Sequence, residues 1–178
     1  MSFFMDNVTR PEDLQRVIML GILIAIQLIL GKLGIGYKVI RIDFAFVPLF
    51  LMGKWYGPFW AGIASGVSDV IGATIINGTG FFPQFTISAV LGGVITGWLF
   101  YHHKVTWPRV IVYQLVIAVL INLIMNTYWV YMINMIPIKV LLVPRLIKEL
   151  IMTPIQILII HWIGNEHLVK RMSERLFG

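Results

Sequence analysis

The stretch LQRVIMLGILIAIQLILGKL, residues 14–33, is long and apolar enough to cross a lipid bilayer as a single helix. A helical span needs about 20 predominantly apolar residues, because each residue advances the helix by about 1.5 Å. Pro11, Glu12 and Asp13 precede the stretch, and proline with acidic residues in the first turn is typical of a helix start. The stretch therefore predicts a first membrane helix.

The composition of the whole chain supports the same interpretation. The 178 residues are 58% hydrophobic and 12% charged, with a mean hydropathy of +0.86, whereas soluble domains carry about 25% charged residues. We therefore predict an all-α integral membrane protein with one domain, residues 1–178. Such a chain has no room for a separate soluble catalytic or nucleotide-binding domain.

Six apolar runs follow one another along the chain. The predicted spans are residues 14–33, 42–55, 59–76, 85–101, 110–135 and 145–163. The second and third spans meet at the turn YGPFW, residues 56–60. Six spans place both termini on one side of the membrane, and the distribution of Lys and Arg slightly favours the cytoplasm. The prediction is a compact bundle of six membrane helices with both termini cytoplasmic.

The sequence lacks the motifs of several enzyme and cofactor classes. It has no cysteine, no G-x-x-x-x-G-K-[ST], no H-E-x-x-H and no G-x-S-x-G, and its four histidines lack metal-ligand spacing. We therefore predict that the chain is not an enzyme and holds neither a metal nor a cofactor. The net charge of +6 indicates cationic loops facing anionic lipid headgroups and does not indicate binding of nucleic acid.

Three charged residues interrupt the last apolar run, in LLVPRLIKELIMTP, residues 141–154. Arg145, Lys148 and Glu149 are spaced i, i+3 and i+4, so a helix places them on one face. In one interpretation, Arg145 pairs with Glu149, and Lys148 extends to the membrane interface. In the other, Arg145 faces a cavity and binds an anionic ligand, because its planar guanidinium can bond a carboxylate through two N–H groups.

Asp69 lies inside the third predicted span, in ASGVSDVIGAT, residues 64–74. A carboxylate exposed to lipid is costly, so Asp69 must face a cavity, a partner or a proton path. In a pocket it can accept two N–H groups from the edge of a heterocycle. The alternative is a structural hydrogen bond to a neighbouring helix.

Aromatic residues follow a glycine-rich loop in NGTGFFPQFTISA, residues 77–89. Phe81 and Phe82 can stack on a flat ring, and Gln84 can bond its edge. The alternative for the two phenylalanines is an aromatic anchor at the membrane interface.

A polar stripe on the fifth predicted span consists of Asn122, Asn126 and Trp129, spaced i, i+4 and i+7. Such residues either hold helices together through hydrogen bonds or line a pocket, and the spacing alone leaves both interpretations open.

Gly21 and Ala25 form a small-residue pair four positions apart in the first predicted span. A pair of this kind lets another helix approach closely. The pattern is also common by chance in apolar helices, so on its own it does not identify a contact surface.

Taken together, these segments resemble the substrate-binding S-components of energy-coupling factor vitamin transporters. The resemblance covers the whole chain, and two stretches are similar to the folate-specific subfamily: FFPQFTISAVLGGVITG, residues 81–97, and PRLIKELIMTPIQ, residues 144–156. Relatives read closer to FFPGFTLSA in the first stretch, so Gln84 departs from their usual glycine.

The resemblance implies a vitamin pocket at the outward end of a six-helix bundle in a bacterial plasma membrane. It also implies docking of Gly21 and Ala25 on a transmembrane coupling subunit that works with two cytoplasmic ATPases. For folate, Asp69 would take the pterin N–H edge, and Arg145 with Lys148 would hold the glutamate carboxylates. The full predicted set of substrate-binding residues is Tyr37, Asp69, Phe81, Phe82, Gln84, Asn126, Trp129, Arg145 and Lys148.

Two other functions stay open from the residues alone. Outward-facing cations suit any anion, so an S-component for another vitamin or precursor, such as pantothenate, is one alternative. A stand-alone small secondary transporter with Asp69 as its proton-carrying group is the other.

Overall fold

The computed structural model describes residues 11–37, 40–42, 44–76, 81–167, 169 and 171–172, with only the backbone described for residues 11–13, 35–37 and 40–42. Helix α1 spans Pro11–Lys32, and a short hairpin follows, in which β1 (Ile35–Tyr37) pairs antiparallel with β2 (Ile40–Ile42). The remaining helices are α2 (Phe46–Ile71), α3 (Pro83–Phe100), α4 (Trp107–Val116), α5 (Asn126–Asn134) and α6 (Ile138–Asn165). Two π-helical segments, Gly72–Ile76 and Ile117–Met125, continue α2 and join α4 to α5.

Five helices of the described chain are long and apolar enough to cross a membrane. They are Leu14–Lys32, Phe46–Ile76, Pro83–Phe100, Trp107–Asn134 and Ile138–Asn165. The predicted helical membrane protein is therefore confirmed, and the hairpin is a small addition in the glycine-rich link after α1. Helix α6 begins before the predicted start at residue 145 and carries Pro144 and Pro154 inside it. Membrane helices tolerate such prolines when neighbouring groups satisfy the freed backbone carbonyls.

The first half of α2 runs antiparallel to α1. Ala45, immediately before α2, lies beside Gly31 near the end of α1. Eleven residues later, the Tyr56 hydroxyl donates to the backbone carbonyl of Arg16 near the start of α1 (2.7 Å). The chain has thus passed from one end of the bundle to the other.

Helix α2 then turns back at Gly57, where φ is 79° and ψ is −179°. Glycine adopts this positive φ without the steric cost that a Cβ adds, and Pro58 follows it immediately. The second half leads to Gly72, which packs against Leu28 near the end of α1. The predicted turn YGPFW therefore coincides with this break.

Helices α2 and α3 pack with their backbones in close contact. A Cβ at Gly97 would lie 2.3 Å from the Pro58 nitrogen, and a Cβ at Gly93 would lie 2.4 Å from the Ala61 carbonyl oxygen. Small residues permit this close approach and so increase the van der Waals contacts between the helices. Such contacts matter in a membrane, because lipid tails are as apolar as the helices and supply no hydrophobic driving force for helix association. The pairing places the start of α3 beside the last turns of α2.

The end of the bundle near Gly57 is densely packed, and we call it the closed end. Phe100 makes edge-to-face contacts with Phe50 (ring centroids 4.9 Å apart) and Tyr113 (5.0 Å). The buried residues of this cluster are Phe50, Phe100, Val105, Val110, Tyr113 and Ile160. The cluster joins α2, α3, α4 and α6, so it fixes the framework from which the opposite end extends.

Candidate functional site

The two π-helical segments lie at the end opposite the closed end, and each borders a cavity. After the segment Ile117–Met125, the backbone N–H of Asn126 bonds to the carbonyl of Ile121, five residues earlier. π-Helical turns within α-helices occur frequently at functional sites. Gly72 at the start of one segment and Asn122 inside the other are both cavity-lining residues. We call this region, with its two cavities, the hollow end.

The first cavity, which we call the cationic cavity, has a volume of about 180 Å³. Its lining residues are Phe85, Asn122, Asn126, Arg145, Lys148 and Glu149. The structure thus brings together three predicted substrate-binding residues, Asn126, Arg145 and Lys148, from helices α5 and α6. Two cations and two amides around one cavity form a site suited to a carboxylate ligand.

Arg145 is anchored by one guanidinium nitrogen. Its Nη1 donates to the backbone carbonyl of Asn122 and to the hydroxyl of Thr127, both at 3.1 Å. No hydrogen bond of Nε or Nη2 is recorded within the described part of the chain, so those donors can meet a ligand. Because only Nη1 is engaged by the protein, the N–H groups of Nε and Nη2 remain available to bond a carboxylate bidentately.

Asn122 links the two charges that the sequence places one helical turn apart. Its side-chain Nδ2 donates to Oε1 of Glu149 at 3.1 Å, while its carbonyl accepts from Arg145. Glu149 is only 8% exposed. Asn122 therefore bridges Arg145 and Glu149 through hydrogen bonds, in addition to the electrostatic attraction between the two opposite charges.

The second cavity, which we call the Asp69 cavity, has a volume of about 330 Å³. Its lining residues are Gln27, Gly31, Ala45, Ser65, Ser68, Asp69, Gly72, Ala73, Phe82, Phe85 and Ala89. Two predicted residues, Asp69 and Phe82, are brought together here. Oδ2 of Asp69 accepts a hydrogen bond from the Thr86 hydroxyl of α3 (2.7 Å). Asp69 thus both lines a cavity and joins two helices, the two roles that the sequence left as alternatives.

Phe85 lines both cavities, which are therefore neighbours. Ligand pockets for small molecules typically measure roughly 300–1,000 Å³. The Asp69 cavity alone is within this range at about 330 Å³, and the cationic cavity adds about 180 Å³. Phe85 was not predicted as a lining residue, because nothing in FFPQF distinguishes it from any other apolar residue of a helix. Gln27 was not predicted either, although an amide in the middle of the apolar first span was a usable signal.

Some buried polar atoms at the hollow end have no hydrogen-bond partner among the residues that the structure describes. They include Oε1 of Gln27, Oε1 of Gln84 and Oδ1 of Asn126. A buried polar group normally finds a hydrogen bond with protein or water. Gln27 and Asn126 each line one of the two cavities, so a bound ligand can supply the missing donors.

Three of the predicted substrate-binding residues that the structure describes, Phe81, Gln84 and Trp129, do not line these cavities. Phe81 is 48% exposed, and neither it nor Gln84 lines either cavity. Trp129 donates from Nε1 to the Ser88 hydroxyl (3.0 Å) and so connects α5 to α3. The side chain of Tyr37 lies outside the described residues.

Gly21 and Ala25 lie on the outer surface of α1, where both are exposed. A Cβ added at Gly21 would meet nothing within 4 Å. The pair therefore forms a low, apolar patch on a helix face that the rest of the described chain leaves open.

A family model fits most of this chain. The model describes the substrate-specific component of ECF transporters and matches residues 15–164. The chain belongs to this family. The predicted resemblance is thus confirmed, as is the prediction of a multi-pass membrane protein of a transport system and not an enzyme.

Individual relatives are similar over nearly the full length. The folate transporter FolT of Leuconostoc mesenteroides is 34% identical over 185 aligned residues, 98% of this chain and 100% of that protein. FolT of Clostridium novyi is 40% identical over 158 residues, 88% of this chain and 91% of that protein. A crystal structure of FolT bound with folic acid matches with a TM-score of 0.81 and 36% identity, covering 85% of this chain and 93% of that one.

Proposed function

We propose that this protein is the folate-binding S-component of an ECF-type importer, which captures folate outside the cell. The observation that carries the proposal is the pair of neighbouring cavities, one cationic and one containing a carboxylate, in a chain so similar to FolT proteins. Folate has matching ends: a pterin ring with an N–H edge and a glutamate with two carboxylates.

The chemistry of each cavity suggests an orientation for the ligand. Asp69 accepts the pterin N–H groups, while Arg145 and Lys148 hold the glutamate carboxylates through charge-assisted hydrogen bonds. Phe82 and Phe85 supply aromatic surface for the rings between the two ends. Asn126 contributes as an acceptor its Oδ1, which has no hydrogen-bond partner among the described residues. Of the other predicted contacts, we keep Phe81, Gln84, Trp129 and Tyr37 as proposals for the loop side of the pocket.

We further propose that the single domain crosses the membrane six times with both termini in the cytoplasm. The reversal of α2 at Gly57 supports the sixth crossing, because Phe46–Ile76 then contributes two passes. The chain contains no cysteine, so Ser2→Cys and Ser173→Cys are clean labelling sites. A membrane-impermeant maleimide should label both only after permeabilisation, and labelling of either one in intact cells would contradict this topology.

The importer requires partners that this chain does not contain. We propose that Gly21 and Ala25 dock on the transmembrane coupling subunit, which joins two cytoplasmic ATPases. The exposed small-residue patch on α1 supports this assignment, because it admits a close helix without a steric obstacle.

A fluorescence titration of the purified protein in detergent tests the ligand. Six tryptophans report on binding, and Trp129 is hydrogen-bonded to Ser88, one residue from the cavity-lining Ala89. Folate should quench the emission saturably after correction for its absorbance, whereas pantothenate and thiamin should not. Saturable binding of pantothenate alone would replace folate as the ligand. Proton-driven transport by the chain alone in liposomes would instead favour a secondary transporter.

A further inference from the structure

Glu149 is an unexpected residue in a cavity proposed to bind an anion. It lines the cationic cavity next to Lys148 and one helical turn from Arg145, and it is 8% exposed. A buried carboxylate beside the ligand's carboxylates should repel them and weaken binding. Its presence therefore calls for a contribution that outweighs the repulsion.

The hydrogen bonds around Asn122 supply such a contribution. Two residues of α6 hold this one residue of the π-helical segment: Arg145 bonds its backbone carbonyl, and Glu149 bonds its side-chain amide, both at 3.1 Å. Thr127 extends the arrangement, since its hydroxyl accepts from Arg145 (3.1 Å). These hydrogen bonds join α6 to the neighbouring helix, and we call them the clamp.

We propose that Glu149 is a positioning residue for anion recognition, acting through Asn122 on the guanidinium of Arg145. By accepting from the Asn122 amide, Glu149 fixes the π-helical turn whose carbonyl orients Arg145. The free N–H groups of Arg145 then face the cavity in one geometry. This inference rests on the proposed folate binding, because it names the ligand end that the clamp serves.

The two roles of Glu149 predict opposite effects of its removal. If repulsion dominates, a neutral residue at position 149 tightens folate binding. If positioning dominates, binding weakens unless the new residue can still accept a hydrogen bond from Asn122. Glu149→Gln keeps an acceptor and loses the charge, while Glu149→Met loses both at similar size.

The test compares folate with its diamide, in which both glutamate carboxylates are replaced by amides. The ratio of the two dissociation constants measures anion recognition and is insensitive to a general loss of stability. We expect the wild type to prefer folate, Glu149→Gln to keep that preference within about twofold, and Glu149→Met to lose about tenfold of it, the size of one hydrogen bond to a charged group.

A matched control is available on the same helix. Gln156 lies on α6 outside both cavities and bonds Gln114 of α4 through their side chains. Gln156→Met also removes a hydrogen bond between helices, so it should lower the melting temperature while leaving the preference for folate unchanged. A loss of preference in this control equal to that of Glu149→Met would show a general effect and overturn the proposal.

Other outcomes are equally decisive. An unchanged or increased preference in Glu149→Met overturns the positioning role. A loss in Glu149→Gln equal to that in Glu149→Met also overturns it, because the charge and not the hydrogen-bond acceptor would then be needed. If Glu149→Met does not fold, Asn122→Ala cuts the same link from the other side, and a preserved preference there overturns the proposal. A wild type that does not bind folate, or binds it no better than the diamide, refutes the proposed ligand or anion site before any variant is measured.

Discussion

The closed end and the hollow end of this bundle use the same kinds of helix for opposite purposes. At the closed end, the rings of Phe50, Phe100 and Tyr113 fill the space between helices. At the hollow end, the helices leave two cavities between them, of about 180 and 330 Å³. The residues that line an empty cavity lack dispersion contacts on that side. The arrangement of the helices at the hollow end therefore depends on the packing at the closed end.

Polar residues differ between the two ends in a similar way. Near the closed end, the hydroxyls of Thr96 and Tyr113 bond each other at 3.1 Å, and both residues are buried. At the hollow end, Arg145 engages the protein through Nη1, and the buried Oδ1 of Asn126 has no hydrogen-bond partner within the described part of the chain. One set of polar groups therefore joins helices, while the other remains available to a ligand.

The largest effect is expected from a substitution that disturbs the close packing of α2 against α3. We expect Gly97→Ala to destabilise the protein by about 3 kcal/mol, because its Cβ would lie 2.3 Å from the backbone nitrogen of Pro58. Thermal unfolding in detergent measures the effect. Gly92→Ala, on the same helix, is the control, since its Cβ would meet nothing within 4 Å. Equal melting temperatures for the two variants would contradict the packing described for α2 and α3.

A second prediction concerns the cationic cavity. Arg145→Ala should weaken folate binding by about 2 kcal/mol, or roughly thirtyfold in Kd, because a charged hydrogen bond to the ligand is lost. Isothermal titration with folate checks the value. Arg109→Ala is the matched control, as Arg109 donates to the Lys104 carbonyl (3.1 Å) away from both cavities. Unchanged affinity in Arg145→Ala would remove this residue from the site.

A third, smaller effect is expected in the Asp69 cavity. Asp69→Asn can still accept from the Thr86 hydroxyl but loses the charge that strengthens hydrogen bonds to the pterin edge. We expect folate binding to weaken by about 1.5 kcal/mol, with little change in melting temperature. Thr86→Val provides the converse, since it removes the bond between helices and keeps the carboxylate. A larger loss of folate affinity in Thr86→Val than in Asp69→Asn would make Asp69 mainly structural.

The smallest effect on the isolated protein is predicted outside both ends. Gly21→Leu with Ala25→Leu should leave folate affinity and melting temperature unchanged within about 0.5 kcal/mol, since both residues are exposed. Folate uptake by cells that also contain the coupling module should nevertheless be abolished, because the larger side chains keep the partner helix at a distance. Lost binding in detergent would instead show that the pair supports the fold.

The sequence predicted the helices well where periodicity and breakers are strong. The turn at residues 56–60 matches the break at Gly57, because glycine and proline specify such a break locally. The start of α6 was predicted too late, at residue 145, because the helix begins at Ile138 and continues through Pro144. The π-helical segment Ile117–Met125 had no sequence signature, because the same residues are compatible with an α-helix.

The candidate site was only partly predictable. Arg145, Lys148 and Asp69 were identifiable because charges inside a membrane span are costly and must face something polar. Phe85 was not, because its position between two cavities depends on how α2 and α3 pair. Trp129 could be assigned to a polar stripe, but its hydrogen bond to Ser88 depends on the approach of α3 to α5.

The bond between Arg145 and the main-chain carbonyl of Asn122 makes part of this site invisible to side-chain mutagenesis. Alanine scanning changes the amide of Asn122 but leaves its carbonyl in place. That acceptor can be weakened only by altering the backbone, for example by incorporating an α-hydroxy acid at position 123, which converts the intervening amide to an ester. Natural variation at position 122 can therefore alter the clamp with Glu149 without removing the contact that anchors the guanidinium.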